Sequence, residues 1–152
     1  MRLEALRHLV IPVTAALGFG LGVAPVHASC AVVGDSIAVG VGCRMDECLT
    51  DAKGGIPSAD VIARTHPADV LFISAGSNDP RNPQLEDNLM AIRAKASGAV
   101  VWIVPMAPTA AAAVGRVAAA HNDAMVKFEA STDGVHPRSY DELALSLRKY
   151  LK

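Results

Sequence analysis

The chain has 152 residues, 51% of them apolar, which is enough to fill one domain core and leaves no need for a second. Its 14 basic and 15 acidic residues give a formal charge of -1, so no global field draws it toward nucleic acid or an anionic membrane surface. Aromatic residues make up only 4%, and no stretch interleaves them with Lys and Arg, so there is no stacking platform for single-stranded nucleic acid.

At the N-terminus, Arg2 and Arg7 precede an apolar run from about Leu9 to Val26, which closes on Val26-His27-Ala28. This is the layout of a secretory signal peptide over residues 1–28, cut after Ala28. The run is also long enough for an uncleaved membrane anchor. Gly18, Gly20, Gly22 and Pro25 weaken a spanning helix and favour cleavage. The expected location is therefore secreted or periplasmic, with anchoring by an uncleaved N-terminal segment as the alternative, and residues 29–152 as the domain. A lipoprotein signal would use Cys30, but His27 stands where an aliphatic residue is usual.

Export permits disulfides among Cys30, Cys43 and Cys48, and the arithmetic predicts one pair and one leftover thiol. Cys43 and Cys48 are spaced to staple the loop between them, while Cys30 competes for either. With no CxxC and no nearby His pair, the three cysteines predict no metal site.

From Ser29 onward, short apolar runs alternate with helical periods, the pattern of an α/β domain. Ala31-Val32-Val33 reads as a buried strand stopped by Gly34, Val70 to Ala75 as a second stopped by Gly76, and Val100 to Val104 as a third stopped by Pro105. Runs that are apolar on both faces suit parallel strands covered by helices on each side. Helices are expected for a turn or two after Ser36, from Ser58 to about Thr65, and from Gln84 to Ser97, with Gly98 as a C-cap. The segment around Gly115 to Val126 is Ala-rich and predicted helical, and Lys127 to Ala130 is predicted as a short last strand. Tyr140, Leu143, Leu147, Tyr150 and Leu151 then fall at helical spacing, giving a C-terminal helix with one apolar stripe.

The polar residues concentrate where strands end. Ser36 follows the first strand, Asn78 the second, and Asp133 and His136 the last. In an open parallel sheet those ends share one edge, where such folds bind ligands. Asp133-Gly134-Val135-His136 sets a carboxylate within reach of an imidazole. A carboxylate on one ring nitrogen leaves the other free to take a hydroxyl proton, which a serine needs to act as a nucleophile. The plain structural alternative is Asp133 as a helix N-cap with Pro137 in the first turn. For Gly34-Asp35-Ser36 the alternative is helix capping by Asp35 or Ser36, and for Gly76-Ser77-Asn78-Asp79-Pro80 a turn leading into a helix cap. The Ser36 N–H, a glycine N–H and the Asn78 amide would together supply three donors to a developing oxyanion.

Gly34-Asp35-Ser36 resembles block I of the SGNH (GDSL-like) hydrolases, Gly76-Ser77-Asn78-Asp79 resembles block III, and Asp133-Gly134-Val135-His136-Pro137 resembles block V. Their order and placement span nearly the whole segment after residue 28. The resemblance implies a three-layer α/β/α sandwich with a small, mostly parallel, flavodoxin-like sheet. It implies Ser36, Asp133 and His136 as catalytic triad, and Ser36, Gly55 and Asn78 as oxyanion hole. Lys53-Gly54-Gly55-Ile56-Pro57-Ser58 stands where block II is expected; the Gly-Ile-x-Ser stretch favours Gly55, with Gly54 as the alternative. The family implies no cofactor and no metal. An α/β-hydrolase elbow is excluded because Ala38 stands where its second glycine belongs. A flavodoxin-like domain binding a phosphate-bearing cofactor ranks last among the readings, because the Gly34 loop lacks a glycine-rich cradle.

The activity implied is hydrolysis of a small acyl ester, including O-acetyl groups on an envelope carbohydrate, through an acyl-enzyme on Ser36. Acyl transfer to a sugar and a non-catalytic glycan-binding module are the alternatives. Little chain separates Ser36 from Lys53, which leaves little material for a lid or deep acyl pocket and favours small acyl groups over long lipid chains. His66 and His121 are expected at helix ends or surface turns, without ligand-spaced partners.

Overall fold

A computed structural model describes residues 28–152. The predicted leader, with His8 and His27, lies outside the described residues apart from Ala28, which begins the first strand. Among the described residues no helix is long and apolar enough to cross a membrane.

In chain order the elements are β1 (Ala28–Gly34), α1 (Ser36–Gly42), β2 (Leu49–Ala52), α2 (Ser58–Arg64), β3 (Ala68–Ser74), α3 (Leu85–Ala94), β4 (Ala99–Ile103), α4 (Pro108–His121), β5 (Ala124–Val126) and α5 (Tyr140–Arg148), closed by a 3-10 turn at Lys149–Leu151. The five strands form one sheet in the order β2-β1-β3-β4-β5, and every pair is parallel. Alternate side chains leave opposite faces of a strand. Ala31, Val33, Leu71, Ile73, Val100 and Trp102 accordingly pack with α2, α3 and α4, while Val32, Phe72, Val101 and Ile103 pack with α1 and α5. The result is the α/β/α sandwich, with an apolar core on each side of the sheet.

The central strands and the first, second and last helices lie where periodicity placed them, and several boundaries differ. β2 escaped the sequence reading because Leu49-Thr50-Asp51-Ala52 is an exposed edge with no apolar run. The Ala-rich helix begins at Pro108, in the first turn where proline is at home, and ends at Asn122 in a left-handed conformation (φ 55°). Residues predicted as the end of that helix therefore form β5, so the last strand is Ala124–Val126 rather than Lys127 to Ala130. Gly98 is not a helix C-cap. α3 stops at Ala94 with Lys95 as its cap, and Gly98 is small because a β-carbon there would lie 2.1 Å from the Asp69 carbonyl oxygen. The C-terminal helix likewise stops at Arg148, leaving Tyr150 and Leu151 in or beside the 3-10 turn.

Two covalent and ionic ties bind the α1 face. Cys30 of β1 is disulfide-bonded to Cys48, just ahead of β2, and Cys43 is the exposed free thiol. Arg148 at the end of α5 pairs with Glu47 at 2.7 Å.

Candidate active site

All strands being parallel, their C-terminal ends share one edge, and the order reverses between β1 and β3. Ligands bind such sheets at that switch point. Ser36 follows β1 and Asn78 follows β3, so both stand there by topology.

Gly34 makes the turn into α1 possible. Its φ is +139°, and a β-carbon would lie 1.9 Å from the Ser74 carbonyl oxygen, so no other residue allows β1 and β3 this approach. Asp35 is fully buried and caps α1, its Oδ1 accepting the Ile37 N–H at 3.0 Å and the Ser74 Oγ–H at 2.7 Å. Capping at Asp35 makes Ser36 the first helical residue, whose own N–H belongs to the donors that a first turn leaves without intrahelical partners.

On the opposite side, the loop from Ser131 to His136 is closed at its base. Ala130 and Pro137 form an antiparallel bridge, the Ser131 N–H donates to the His136 carbonyl at 2.7 Å, and the Arg138 N–H donates to that of Glu129 at 2.7 Å. Asp133 organises the loop interior, with Oδ1 accepting from the Val135 N–H, the His136 N–H and Ser131 Oγ at 2.9, 2.9 and 2.8 Å. This is a turn, not the helix N-cap considered from sequence. α5 begins later, capped by Ser139 Oγ on the Glu142 N–H. These bonds, that to Val135 first, hold the Asp133 carboxyl well below the usual carboxylate range.

The second oxygen of Asp133 lies 2.7 Å from His136 Nδ1, and His136 Nε2 lies 2.9 Å from Ser36 Oγ. The tautomer that serves both contacts carries its proton on Nδ1, donates it to the carboxylate and accepts from the serine hydroxyl. Ser36 from one stretch and Asp133 with His136 from another are thus joined in one continuous series of hydrogen bonds.

Asn78 reaches the same edge, where its Nδ2 donates to the Ile56 carbonyl at 3.0 Å. An amide nitrogen carries two hydrogens, so one remains for a ligand. Between the two glycines, Gly54 stands beside the serine: a β-carbon there would lie 3.9 Å from Ser36 Cβ, whereas one at Gly55 (φ +73°) would meet nothing within 4 Å. A hollow of about 370 Å³ opens among the loops after β3, β4 and β5, with Met106, Pro108 and Val135 as its apolar wall. The buried Ser77 Oγ, in the same lining, has no hydrogen-bond partner among the described residues.

Sequence reasoning missed Ser74, Ser131 and the hollow's Met106 and Pro108. A serine inside an apolar strand, or two residues before an Asp, has no distinguishing pattern until the fold brings its partner close. His66, expected at a helix end or surface turn without a ligand-spaced partner, hydrogen-bonds Asp51 of β2 at 2.8 Å. Among the described residues no group of three or more His, Cys, Asp or Glu could hold a metal ion.

Neither a protein-family model nor a curated protein matches the chain. Among solved structures it is similar to the C-terminal catalytic domain of peptidoglycan O-acetyltransferase A (OatA) from Streptococcus pneumoniae, determined with a methylsulfonyl adduct. The TM-score is 0.57 at 13% identity, covering 82% of this chain and 94% of that one. At that identity the likeness is one of fold, and it agrees with the α/β/α architecture described above.

Proposed function

We propose that the protein is an exported SGNH-type serine esterase that removes a small acyl group, O-acetyl on a carbohydrate above all, through an acyl-enzyme on Ser36. The observation that carries this reading is the unbroken Ser36–His136–Asp133 relay, at 2.9 and 2.7 Å, on the ligand-binding edge of the sheet.

In the proposed reaction, the Ser36 hydroxyl proton passes to His136 Nε2 as Oγ attacks the ester carbonyl carbon. The Asp133 carboxylate holds the ring and stabilises the imidazolium. The carbonyl oxygen takes up the negative charge facing the Ser36 N–H, the free Asn78 amide hydrogen and a glycine N–H, with Gly54 the nearer candidate and Gly55 the other. His136 returns the proton to the departing alkoxide, leaving the acyl group on Ser36. Water then gives a proton to His136 and attacks the acyl carbon, and Ser36 recovers its hydrogen. The wall of Met106, Pro108 and Val135 suits a short acyl chain or the apolar face of a sugar ring. None of these steps calls on a metal or organic cofactor.

A second reading replaces water with a sugar hydroxyl in the last step. Likeness in fold to an O-acetyltransferase domain favours it, and the first half-reaction is the same. Secretion or release into the periplasm belongs to the proposal as well. The Cys30–Cys48 disulfide supports it, since such bonds persist in oxidising compartments.

Both readings are tested on residues 29–152 with p-nitrophenyl acetate and longer acyl esters, beside a Ser36→Ala control, with and without a chitooligosaccharide acceptor. The expected result is Ser36-dependent release that falls as the chain lengthens. Acetylated oligosaccharide detected by mass spectrometry would make transfer the reaction, and equal rates for Ser36→Ala would refute catalysis altogether.

A further inference from the structure

α2 opens without a cap of its own. Its N-cap position is Pro57, which has no side-chain acceptor; its carbonyl takes the Asp60 N–H at 3.1 Å, and the Ser58 N–H needs a partner from elsewhere. Asp79, 21 residues further along the chain, provides one. Its Oδ1 accepts the Ser58 N–H at 3.1 Å, and its Oδ2 accepts the Ser58 Oγ–H at 2.6 Å. The same Oδ2 accepts from Asn82 Nδ2 at 2.9 Å, and Asn88 Nδ2 of α3 donates to Ser58 Oγ at 2.9 Å. Ser58 is fully buried, so water does not compete for these bonds.

One residue before Asp79, Asn78 Nδ2 donates to the Ile56 carbonyl at 3.0 Å. Three hydrogen bonds therefore join the turn ahead of α2 and the helix's first residue to the segment behind β3. Gly54 and Gly55 lie in that turn, and Asn78 lies in that segment. These are the oxyanion donors that do not come from the Ser36 backbone. Oxyanion donors act only when held about 2.7 to 3.1 Å from the developing charge, and a misplacement of about 1 Å can cost about a hundredfold in rate. A carboxylate suits the junction because three donors converge on it. An amide at position 79 would turn its own N–H groups toward at least one of them.

We propose that Asp79 is a positioning residue for the oxyanion hole, with buried Ser58 as its anchor. It clamps the glycine turn and Asn78 at the spacing that the transition state requires. The clamp rests on the functional reading above. Its predicted effect is on turnover and not on substrate binding, because the aligned donors count most once charge develops on the oxygen.

The test is steady-state hydrolysis of p-nitrophenyl acetate by the wild type, Ser36→Ala, Asp79→Ala, Asn78→Ala and the Asp79→Ala/Asn78→Ala double variant, with a melting curve for each. Asp79→Ala is expected to lower kcat about 10- to 100-fold while KM moves less than about threefold. In the Asn78→Ala background the same change is expected to cost at least about fivefold less, because one of the two donors it positions is already gone. Undiminished, multiplicative losses in the double variant, or a rise in KM alone, would reduce Asp79 to a folding element and leave the esterase reading standing. Turnover by Ser36→Ala at the wild-type rate would instead remove that reading and the clamp with it. Should Asp79→Ala fail to fold, Ser58→Ala takes its place in the cycle: it removes the 2.6 Å bond and leaves the Asp79 cap on the backbone. The same kcat-only, non-additive pattern is expected of it, and its absence would overturn the clamp.

Discussion

At the scale of single residues, Asp133 is the most heavily committed group in the site. Four donors converge on its two oxygens, from Ser131, the backbone of Val135 and His136, and the His136 ring. Because these bonds favour the charged form, the carboxyl stays ionised well below the usual carboxylate range. Asp133→Asn is expected to lower kcat about a thousand- to ten-thousandfold, since an amide donor facing Nδ1 favours the wrong imidazole tautomer. The measurement is kcat on p-nitrophenyl acetate with circular dichroism to verify folding, and a loss of less than about tenfold would remove Asp133 from the relay. Both Asp133 and His136 were legible in the sequence, because their three-residue spacing suffices for a turn to bring them together. Ser131 was not, since nothing in its local pattern distinguishes a serine that buttresses a carboxylate from one that faces solvent.

At the scale of elements, the sheet edge depends on how β1 is anchored. The disulfide from Cys30 to Cys48 encloses α1 and spans a sequence separation of 18, so it ties the strand before Ser36 to the approach to β2. A loop of that size restricts the unfolded chain by about 3 kcal/mol in the chain-entropy description. Chemical denaturation with and without a reductant is expected to show a loss of about 2 to 3 kcal/mol. Cys43→Ala, which touches only the exposed thiol, should leave both curves in place. A destabilisation by Cys43→Ala as large as that by reductant would mean that Cys43 takes part in the solution pairing. Sequence spacing left this pairing open because distance along a chain says little about distance across a sheet. Cys43 and Cys48 are neighbours in sequence, yet strand register brings Cys30 to Cys48.

At the scale of the whole molecule, the C-terminal helix is fastened to the loop between α1 and β2. Arg148 at the close of α5 holds Glu47, 101 residues away, and also donates to the Arg44 carbonyl, while Arg44 pairs with Asp141 at 3.3 Å. The hydrogen bond from Arg148 lowers the Glu47 carboxyl to about 2 from its ordinary 4.5. A depressed folded-state pKa contributes stability that is present above the unfolded value and lost as pH falls through the folded one. The gap in Tm between the wild type and Glu47→Gln, small because the pair is exposed, is therefore expected at pH 6 and should close between about pH 4.5 and 2. A gap independent of pH would show that the pair adds nothing through charge.

The amino-acid sequence by itself determined the fold class and the members of the relay. Doubly buried strands leave short, uninterrupted apolar runs, helices leave a period, and Gly-Asp-Ser, Gly-Ser-Asn-Asp and Asp-Gly-Val-His follow strands by order alone. Tertiary structure decided what depends on neighbours across the fold. It placed β2, a polar edge with no apolar run, and β5, three apolar residues that run on from an Ala-rich helix, and it chose Cys30 as the partner of Cys48. It also set Gly54 beside Ser36 and brought Asp79 onto Ser58. Each of these is a contact between segments whose chemistry is ordinary in isolation and acquires meaning only when a parallel sheet brings its strand ends to one edge.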